Sequence, residues 1–345
     1  LVMAGNSPIN EIIGHLFNAG GKKIRPTLVF LSASFQPYDR ESLIDTAVSV
    51  ELIHMASLIH DDIIDTAAQR RGQETINHKW NNLTAVLTGD FLFATAFNRL
   101  TVTGNYPVLL LLCQSIQQMC EGEINQARQT FNYHQSEFDY FKNIYQKTAC
   151  LFAASCQAGA ITACLPKEQI TAMEQFGLYL GYAYQIIDDL LDLIGDPQEL
   201  GKPTGSDLKQ GILTLPVLRC LKDSCYGGKL RHTLDRRQIS PSELKQFLQN
   251  LLHSDAIPYT LECLALMLHR AGAAIGALPF GTTRFQVSQL AERLLAGPIL
   301  QIQKSLTETK GLALPNYFTS WIHHQEPATV AAGTVPVATV AAWLL

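Results

Sequence analysis

Two acidic clusters, Asp61-Asp62-Ile63-Ile64-Asp65 and Asp188-Asp189-Leu190-Leu191-Asp192, repeat one pattern inside otherwise apolar, helix-forming sequence. On a helix of 3.6 residues per turn, the first and fifth residues of each cluster share a face and the second lies beside them. Each cluster therefore aims its carboxylates in one general direction. A solvated helix face would carry charge on the neighbouring turns as well. Here Leu52, Ile53, Ala56, Leu58 and Ile59 precede the first cluster, and Ala183, Tyr184, Ile186 and Ile187 precede the second. Converging carboxylates in such surroundings repel one another and call for a cation. Hard oxygen ligands with open positions suit Mg²⁺ shared with substrate phosphates, which makes Asp61, Asp62, Asp65, Asp188, Asp189 and Asp192 the candidate metal ligands.

Basic residues accompany each cluster, as a phosphorylated substrate would require. Gly20-Gly21-Lys22-Lys23-Ile24-Arg25-Pro26 sets three cations beside a flexible glycine pair, able to wrap phosphate oxygens. His54 stands almost two turns before Asp61 and on the same face, with Ser57 between them. Arg70-Arg71-Gly72 follows the first cluster, Lys147-Thr148 interrupts an apolar helix, and Gly201-Lys202 follows the second cluster.

Positioning these residues falls to helices. Apolar runs with a period near 3.6 extend from Glu41 to about Ala68, Ala85 to Thr101, Pro107 to Phe131, Glu137 to Cys164, Lys167 to Leu193 and Leu213 to Lys222, and strand-like alternation is nearly absent. The expected fold is all-α, a single-domain antiparallel helix bundle around a central cavity, spanning residues 1–305. Breaks at Gln36-Pro37-Tyr38-Asp39, Gly104-Asn105-Tyr106-Pro107, Leu165-Pro166 and the Gly195 to Gly205 loop carry turn chemistry. Residues 306–345 read as a low-complexity tail, loosely ordered. Its Ala328–Leu345 stretch is mildly apolar, but Gly333 and Pro336 weigh against a membrane anchor.

A chain of 345 residues, 47% hydrophobic and 16% charged, can bury a large core, and its net charge of −4 gives no support to nucleic-acid binding. The eight cysteines form no C-x-x-C pair and read as buried reduced thiols. Reduced thiols make the expected location cytoplasmic, and no basic region followed by an apolar core marks a secretory signal.

In the order of its motifs, the chain resembles the trans-type polyprenyl diphosphate synthases along most of residues 8 to 220. The matching elements are GGKKIRP, the IHMASLIHDDIID helix, the RRG after it, Gly89-Asp90-Phe91-Leu92, Glu121-Gly122-Glu123, Lys147-Thr148, and the YQIIDDLLD helix continuing to Gly201-Lys202, Asp207 and Thr214-Leu215-Pro216. EGEINQARQTFNY, KTACLFAASCQAGA and QELGKPTGSDLKQGILTLPVL carry a narrower similarity, to the large catalytic subunits of bacterial heptaprenyl diphosphate synthases.

The resemblance implies an allylic diphosphate, farnesyl diphosphate in the first place, held through about three Mg²⁺ ions by Asp61, Asp65 and Asp188, with Asp62, Asp189 and Asp192 in the same clusters or just behind them. Arg70, Lys147, Thr148, Gln185 and Lys202 match the positions that grip that diphosphate. Lys22, Arg25, His54 and Arg71 match those that hold isopentenyl diphosphate. Ionisation to an allylic cation, attack by the isopentenyl double bond and loss of a proton to the departing diphosphate would extend the chain by one isoprene unit, with no side-chain nucleophile. The implied catalytic set is Asp61, Asp62, Asp65, Asp188, Asp189, Lys147 and Lys202. Lys23 stands where relatives usually have arginine, which reduces a bidentate contact to a point charge. Ile212 stands near a site that is often lysine in short-chain members.

Product length is expected to depend on Ala56 and Ser57, about one turn before Asp61. Both are small, and the first cluster lacks the two-residue insertion of many farnesyl-producing relatives, so a medium or long all-trans product is expected, heptaprenyl foremost. Farnesyl or geranylgeranyl length is the alternative. A class I terpene cyclase would need no isopentenyl site and would carry a different second metal motif. A non-catalytic partner subunit would be expected to lose one aspartate cluster, and both are intact. The expected assembly is a homodimer or a heterodimer with a smaller regulatory subunit, with peripheral membrane association through the lipid product.

Overall fold

The computed structural model describes residues 8–18, 20–197, 203–310 and 314. Among these, fifteen α-helices follow one another: α1 (Ile9–Asn18), α2 (Ile24–Ala33), α3 (Arg40–Ile64), α4 (Ile76–Lys79), α5 (Asn82–Val102), α6 (Tyr106–Gln129), α7 (Glu137–Ile144), α8 (Cys150–Thr162), α9 (Lys167–Ile194), α10 (Ser206–Lys209), α11 (Leu215–Leu221), α12 (Gly227–Asp235), α13 (Pro241–His253), α14 (Ala256–Gly276) and α15 (Thr282–Lys310). A π-helical turn, Tyr145–Ala149, joins α7 to α8. The fold is all-α, as the helical periodicity implies.

Caps mark where the helices begin. The Asp39 side chain accepts from Ser42 N at 2.8 Å at the start of α3, and Asn81 does the same for Thr84 N before α5. Ser136 with Asp139, and Ser240 with Glu243, close reciprocal capping boxes on α7 and α13.

α3 ends at Ile64, a turn short of the expected end near Ala68, and one short antiparallel hairpin, β1 (Gln69–Arg70) and β2 (Gln73–Glu74), follows it. Two-residue strands are too short to show alternation. Their turn residues, Arg71 at φ 52° and Gly72 at φ 76°, both take the left-handed region that a tight two-residue hairpin turn needs.

The chain divides into two compact units: Leu1–Ile116 with Ala154–Glu174, and Gln117–Ala153 with Gln175–Leu345. In the first unit, α3 is the central helix. It meets α5 through a stripe on one face: Asp45 pairs with Arg99, the Ser49 hydroxyl donates to Ala96 O at 3.2 Å, and His60 lies 3.2 Å from Val86 O. Val50, Ile53, Ala56, Leu92, Ala96 and Leu100 fill the seam without exposure. By length and composition α3 could cross a membrane, but 56% of its apolar window is buried inside the fold, as for a core helix.

In the second unit, Phe176, Leu180, Ile186 and Leu190 of α9 and Leu264, Met267 and Leu268 of α14 are buried. Gly181 lets α9 approach the π turn: a Cβ there would lie 2.6 Å from Ala149 Cα. Glu137, at the start of α7, accepts from Lys222 and from the Tyr259 hydroxyl, each at 2.5 Å, tying α7 to α11 and α14. The last helix runs past residue 305 to Lys310, with Leu306 and Leu314 buried. Ala328–Leu345 lies outside the described residues. None of the eight cysteines forms a disulfide; Cys150, Cys156, Cys220 and Cys263 are buried as expected, whereas Cys120 is exposed on α6, and Cys164 and Cys225 are exposed in the turns that follow α8 and α11.

Candidate active site

The site residues fall into two groups, one in each unit. In the first unit, the segment before α2 turns sharply, with Gly20 at φ 67°, Gly21 at φ 149° and Lys23 at φ 49°. Arg71 Nη1 donates to Gly20 O at 2.8 Å, and a Cβ at Gly21 would sit 2.5 Å from that same nitrogen. The glycine pair thus lets the hairpin arginine lie against the basic segment. Lys23 is drawn to α3 by an ion pair with Glu51 at 2.9 Å, and Lys22 is exposed.

Arg25 Nη1 lies 3.1 Å from His54 Nε2. A guanidinium only donates, so Nε2 is the acceptor and the imidazole is neutral, with its proton on Nδ1. Burial, followed by the charges of Arg25, Arg71, Arg70 and Lys23, holds the His54 pKa down at about 2. His54 thus sits within a positive field assembled from α2 and the hairpin, and an incoming anion would relieve it.

The first aspartate cluster lies on the same helix. Asp62 is 6% exposed and accepts from Arg70 Nε at 2.7 Å. Burial raises its pKa, and Arg70 works against that rise. Asp61 is half-buried, and Asp65 is exposed at the C-cap of α3. Ala56 has no exposed surface and shares its helix face with Ser49 and His60, which touch α5. Ser57 is half-buried, its hydroxyl donating to His54 O at 2.9 Å.

In the second unit, the π turn carries Lys147 and Thr148. One extra residue per turn re-aims side chains, and such turns recur at functional sites. Lys147 pairs with Glu123 at 2.9 Å, while the buried Gln146 amide donates to Glu121 Oε2 at 3.2 Å. Gly122 makes room for this contact, since a Cβ there would meet Gln146 Cβ at 2.8 Å. The Glu121-Gly122-Glu123 motif is therefore a seat for the turn that bears Lys147.

The Thr148 hydroxyl donates to Gln185 Oε1 at 2.7 Å, and Gln185 Nε2 donates to Asp189 Oδ1 at 2.9 Å. The other oxygen of Asp189 accepts from the Tyr140 hydroxyl at 2.6 Å. Asp189 is 3% exposed, and burial pushes its pKa up to about 8, partly countered by those two hydrogen bonds. Asp192, 1% exposed, accepts from the Ser206 hydroxyl at 2.5 Å and from Asp207 N at 3.3 Å, anchoring the chain that enters α10. Asp188 is the exposed member of this cluster. Lys202, with Gly201, lies outside the described residues. Tyr140 was not foreseen: a tyrosine in a short amphipathic helix carries no mark in the sequence of a carboxylate partner in another helix.

Among the described residues, no three His, Cys, Asp or Glu side chains are gathered closely enough to hold a metal ion by themselves. The donor chemistry still fits a hard cation that takes further oxygens from a phosphate, since Asp61, Asp65 and Asp188 present carboxylates to solvent.

Several known proteins are similar to this chain over most of its length. Heptaprenyl diphosphate synthase component 2 of Geobacillus stearothermophilus is 40% identical over 290 residues, covering 84% of this chain and 90% of that protein. Octaprenyl diphosphate synthase of Escherichia coli is 38% identical, covering 79% and 84%. The crystal structure of heptaprenyl diphosphate synthase from Staphylococcus aureus superposes with a TM-score of 0.80 at 36% identity, covering 86% of this chain and 93% of that one. A polyprenyl synthase from Caulobacter crescentus, solved in complex with calcium and isoprenyl diphosphate, has a TM-score of 0.79 at 32% identity, covering 86% and 91%. The polyprenyl synthetase family model matches residues 6–251, which contain both aspartate clusters and every basic residue considered above, and the chain belongs to that family.

Proposed function

We propose that this polyprenyl synthetase condenses isopentenyl diphosphate with an allylic diphosphate, farnesyl diphosphate as the starter, to form an all-trans heptaprenyl diphosphate. The observation that carries the reading is that one chain holds both a neutral, half-buried His54 ringed by cations in the first unit and, in the second, an exposed Asp188 on α9, the helix whose Gln185 accepts from Thr148, the neighbour in sequence of the seated Lys147.

Lys22, Arg25, Arg71 and the Nδ1–H of His54 hold the isopentenyl diphosphate. Arg70, which gives its Nε to Asp62, is assigned to the allylic diphosphate together with Lys147, Thr148, Gln185 and Lys202. Asp61, Asp65 and Asp188 would ligate Mg²⁺, about three ions in the occupied site, with Asp62, Asp189 and Asp192 behind them; when bound, the ions neutralise charge on the departing diphosphate. The allylic C–O bond breaks, the isopentenyl double bond supplies the electrons of the new C–C bond, and the released proton leaves with the diphosphate.

Of the two residues read as setting product length, Ser57 offers surface to a growing chain, while Ala56 serves the packing of α3. The assembly we propose is a dimer, homomeric or with a smaller regulatory subunit. Leu83, Val86, Leu87 and Val102 of α5 and Tyr106 and Leu110 at the start of α6 are exposed apolar side chains of the kind that associate. We place the enzyme in the cytoplasm, with peripheral membrane association through its lipid product.

The test is incubation of the protein with radiolabelled isopentenyl diphosphate, farnesyl diphosphate and Mg²⁺, alone and with a smaller partner subunit, followed by sizing of the products. Labelled heptaprenyl chains are expected. Products containing no isopentenyl carbon would identify a cyclase instead, and no turnover under either condition would identify a non-catalytic subunit.

A further inference from the structure

We propose that Tyr140 is a positioning residue for this reaction, fixing through Asp189 both the helix that presents Asp188 and the turn that presents Lys147. The inference rests on the proposed function and adds to it a residue that none of the motifs contains.

Asp189 sits between two protein donors, with Tyr140 on Oδ2 and Gln185 on Oδ1. At 3% exposure its carboxylate has little room for a metal ion beside them. The hydrogen bonds continue from Gln185 Oε1 to the Thr148 hydroxyl at 2.7 Å. One relay thus links α7 at Tyr140, α9 at Asp189 and Gln185, and the π turn at Thr148. Asp188 is the next residue on α9 and Lys147 the next on the turn, so the relay sets the rotation of one element and the register of the other together. Tyr140 cannot reach a substrate itself: it is 4% exposed, and its ring packs edge-on against Phe141, which packs edge-on against Tyr182. The hydroxyl therefore acts through the carboxylate it holds.

The first unit supports this assignment independently. There the middle aspartate of the same pattern, Asp62, is also buried and held by a protein donor, Arg70, while Asp61 beside it reaches solvent. The repeat thus places a buried anchor next to an accessible carboxylate twice.

Tyr140→Phe keeps the ring and its packing and removes only the hydroxyl. In the full chain, kcat for isopentenyl condensation should fall roughly tenfold to a hundredfold, the range of one hydrogen bond to a charged group. The KM for isopentenyl diphosphate should stay within about twofold, because its site is in the other unit. Mn²⁺ titration in the presence of inorganic diphosphate, followed by electron paramagnetic resonance, should show about tenfold weaker binding to Tyr140→Phe. This measurement needs no turnover, so it reads Tyr140 even if the wild-type chain incorporates no isopentenyl carbon and the proposed function fails.

Asp189→Asn covers the case in which Tyr140→Phe does not fold. Its one amide oxygen can accept from the phenol or from Gln185 but not from both, so one link of the relay is lost and Mn²⁺ affinity should fall about tenfold, as in Tyr140→Phe, whereas Asp188→Asn should lose it outright. Unchanged kcat and Mn²⁺ affinity in Tyr140→Phe would overturn the proposal. So would an Asp189→Asn variant that loses Mn²⁺ as Asp188→Asn does, since that result would make Asp189 a ligand.

Discussion

The two aspartate clusters share one sequence pattern but sit in opposite electrostatic surroundings. Asp62 is anchored by a guanidinium, on a helix whose His54 lies among four cations. Asp189 is anchored by a phenol and an amide, in a nearly dry interior whose nearest charges, Asp207 and Asp188, are negative. A repeated motif therefore does not imply a repeated environment. The first cluster belongs to a region built to receive anions. The second belongs to one in which a carboxylate is costly until a cation arrives.

The sharpest way to break this comparison is to remove the accessible member of each pair. Asp61→Ala or Asp188→Ala should each lower turnover by about a thousandfold, the scale of several kcal/mol of lost charge stabilisation, with the helical circular dichroism intact. Substantial Mg²⁺-dependent condensation by either variant would mean that Asp61 and Asp188 are not the working carboxylates.

Next come the cations. Arg25→Ala should raise the KM for isopentenyl diphosphate about ten- to a hundredfold and leave the allylic KM nearly unchanged, while Lys147→Ala should do the reverse. Steady-state kinetics with each substrate varied in turn decides this. If Arg25→Ala moved only the allylic KM, the assignment of the two units would have to be exchanged.

Acid should affect the metal-free units in opposite directions. His54 has a folded-state pKa near 2 against an ordinary 6.5, so its contribution to stability is present above pH 6.5 and lost as the pH falls. Between pH 6.5 and 5 the loss amounts to about 2 kcal/mol, and His54→Gln should remove that slope from urea unfolding curves. Asp189 is raised from 3.8 to about 8, so its contribution is present below about pH 4 and lost as the pH rises through 8. Thermal melts of Asp189→Asn should therefore be flatter than wild type between pH 6 and 8.5. A wild-type slope that neither substitution alters would show that neither group governs the pH response.

Packing supplies the smallest effects. Ala56→Tyr should overpack the seam between α3 and α5 and cost about 1–3 kcal/mol, whereas Ser57→Phe should shorten the products with little loss of stability. Product sizing and melting of both variants separate the two roles. Truncation after Lys304 removes the buried Leu306 and Leu314 of the second unit and should lower its melting temperature by a few degrees. An unchanged melt would mean that these side chains contribute no net stability.

Several features of the fold were legible because they are local. Helical periodicity placed α3, α5, α6 and α9 within a few residues, since an apolar stripe repeats within a single element. The hairpin at Gln69–Glu74 was not legible, because strands of two residues carry no period. The cations were recognisable as a set by their proximity to the acidic clusters, but the pairing of Arg25 with His54 and the capture of Lys23 by Glu51 depend on how α2 lies along α3.

By itself, the amino-acid sequence determined the helical class, the two aspartate clusters and the basic residues that accompany them, because residue type and short-range spacing set which groups share a helix face. The tertiary structure alone decided which aspartates reach solvent and which are anchors, that His54 is a neutral acceptor, and that Tyr140 holds Asp189. Burial and hydrogen-bond partners come from elements far apart in the chain, and the charge a carboxylate or imidazole carries depends on those partners more than on its neighbours in sequence.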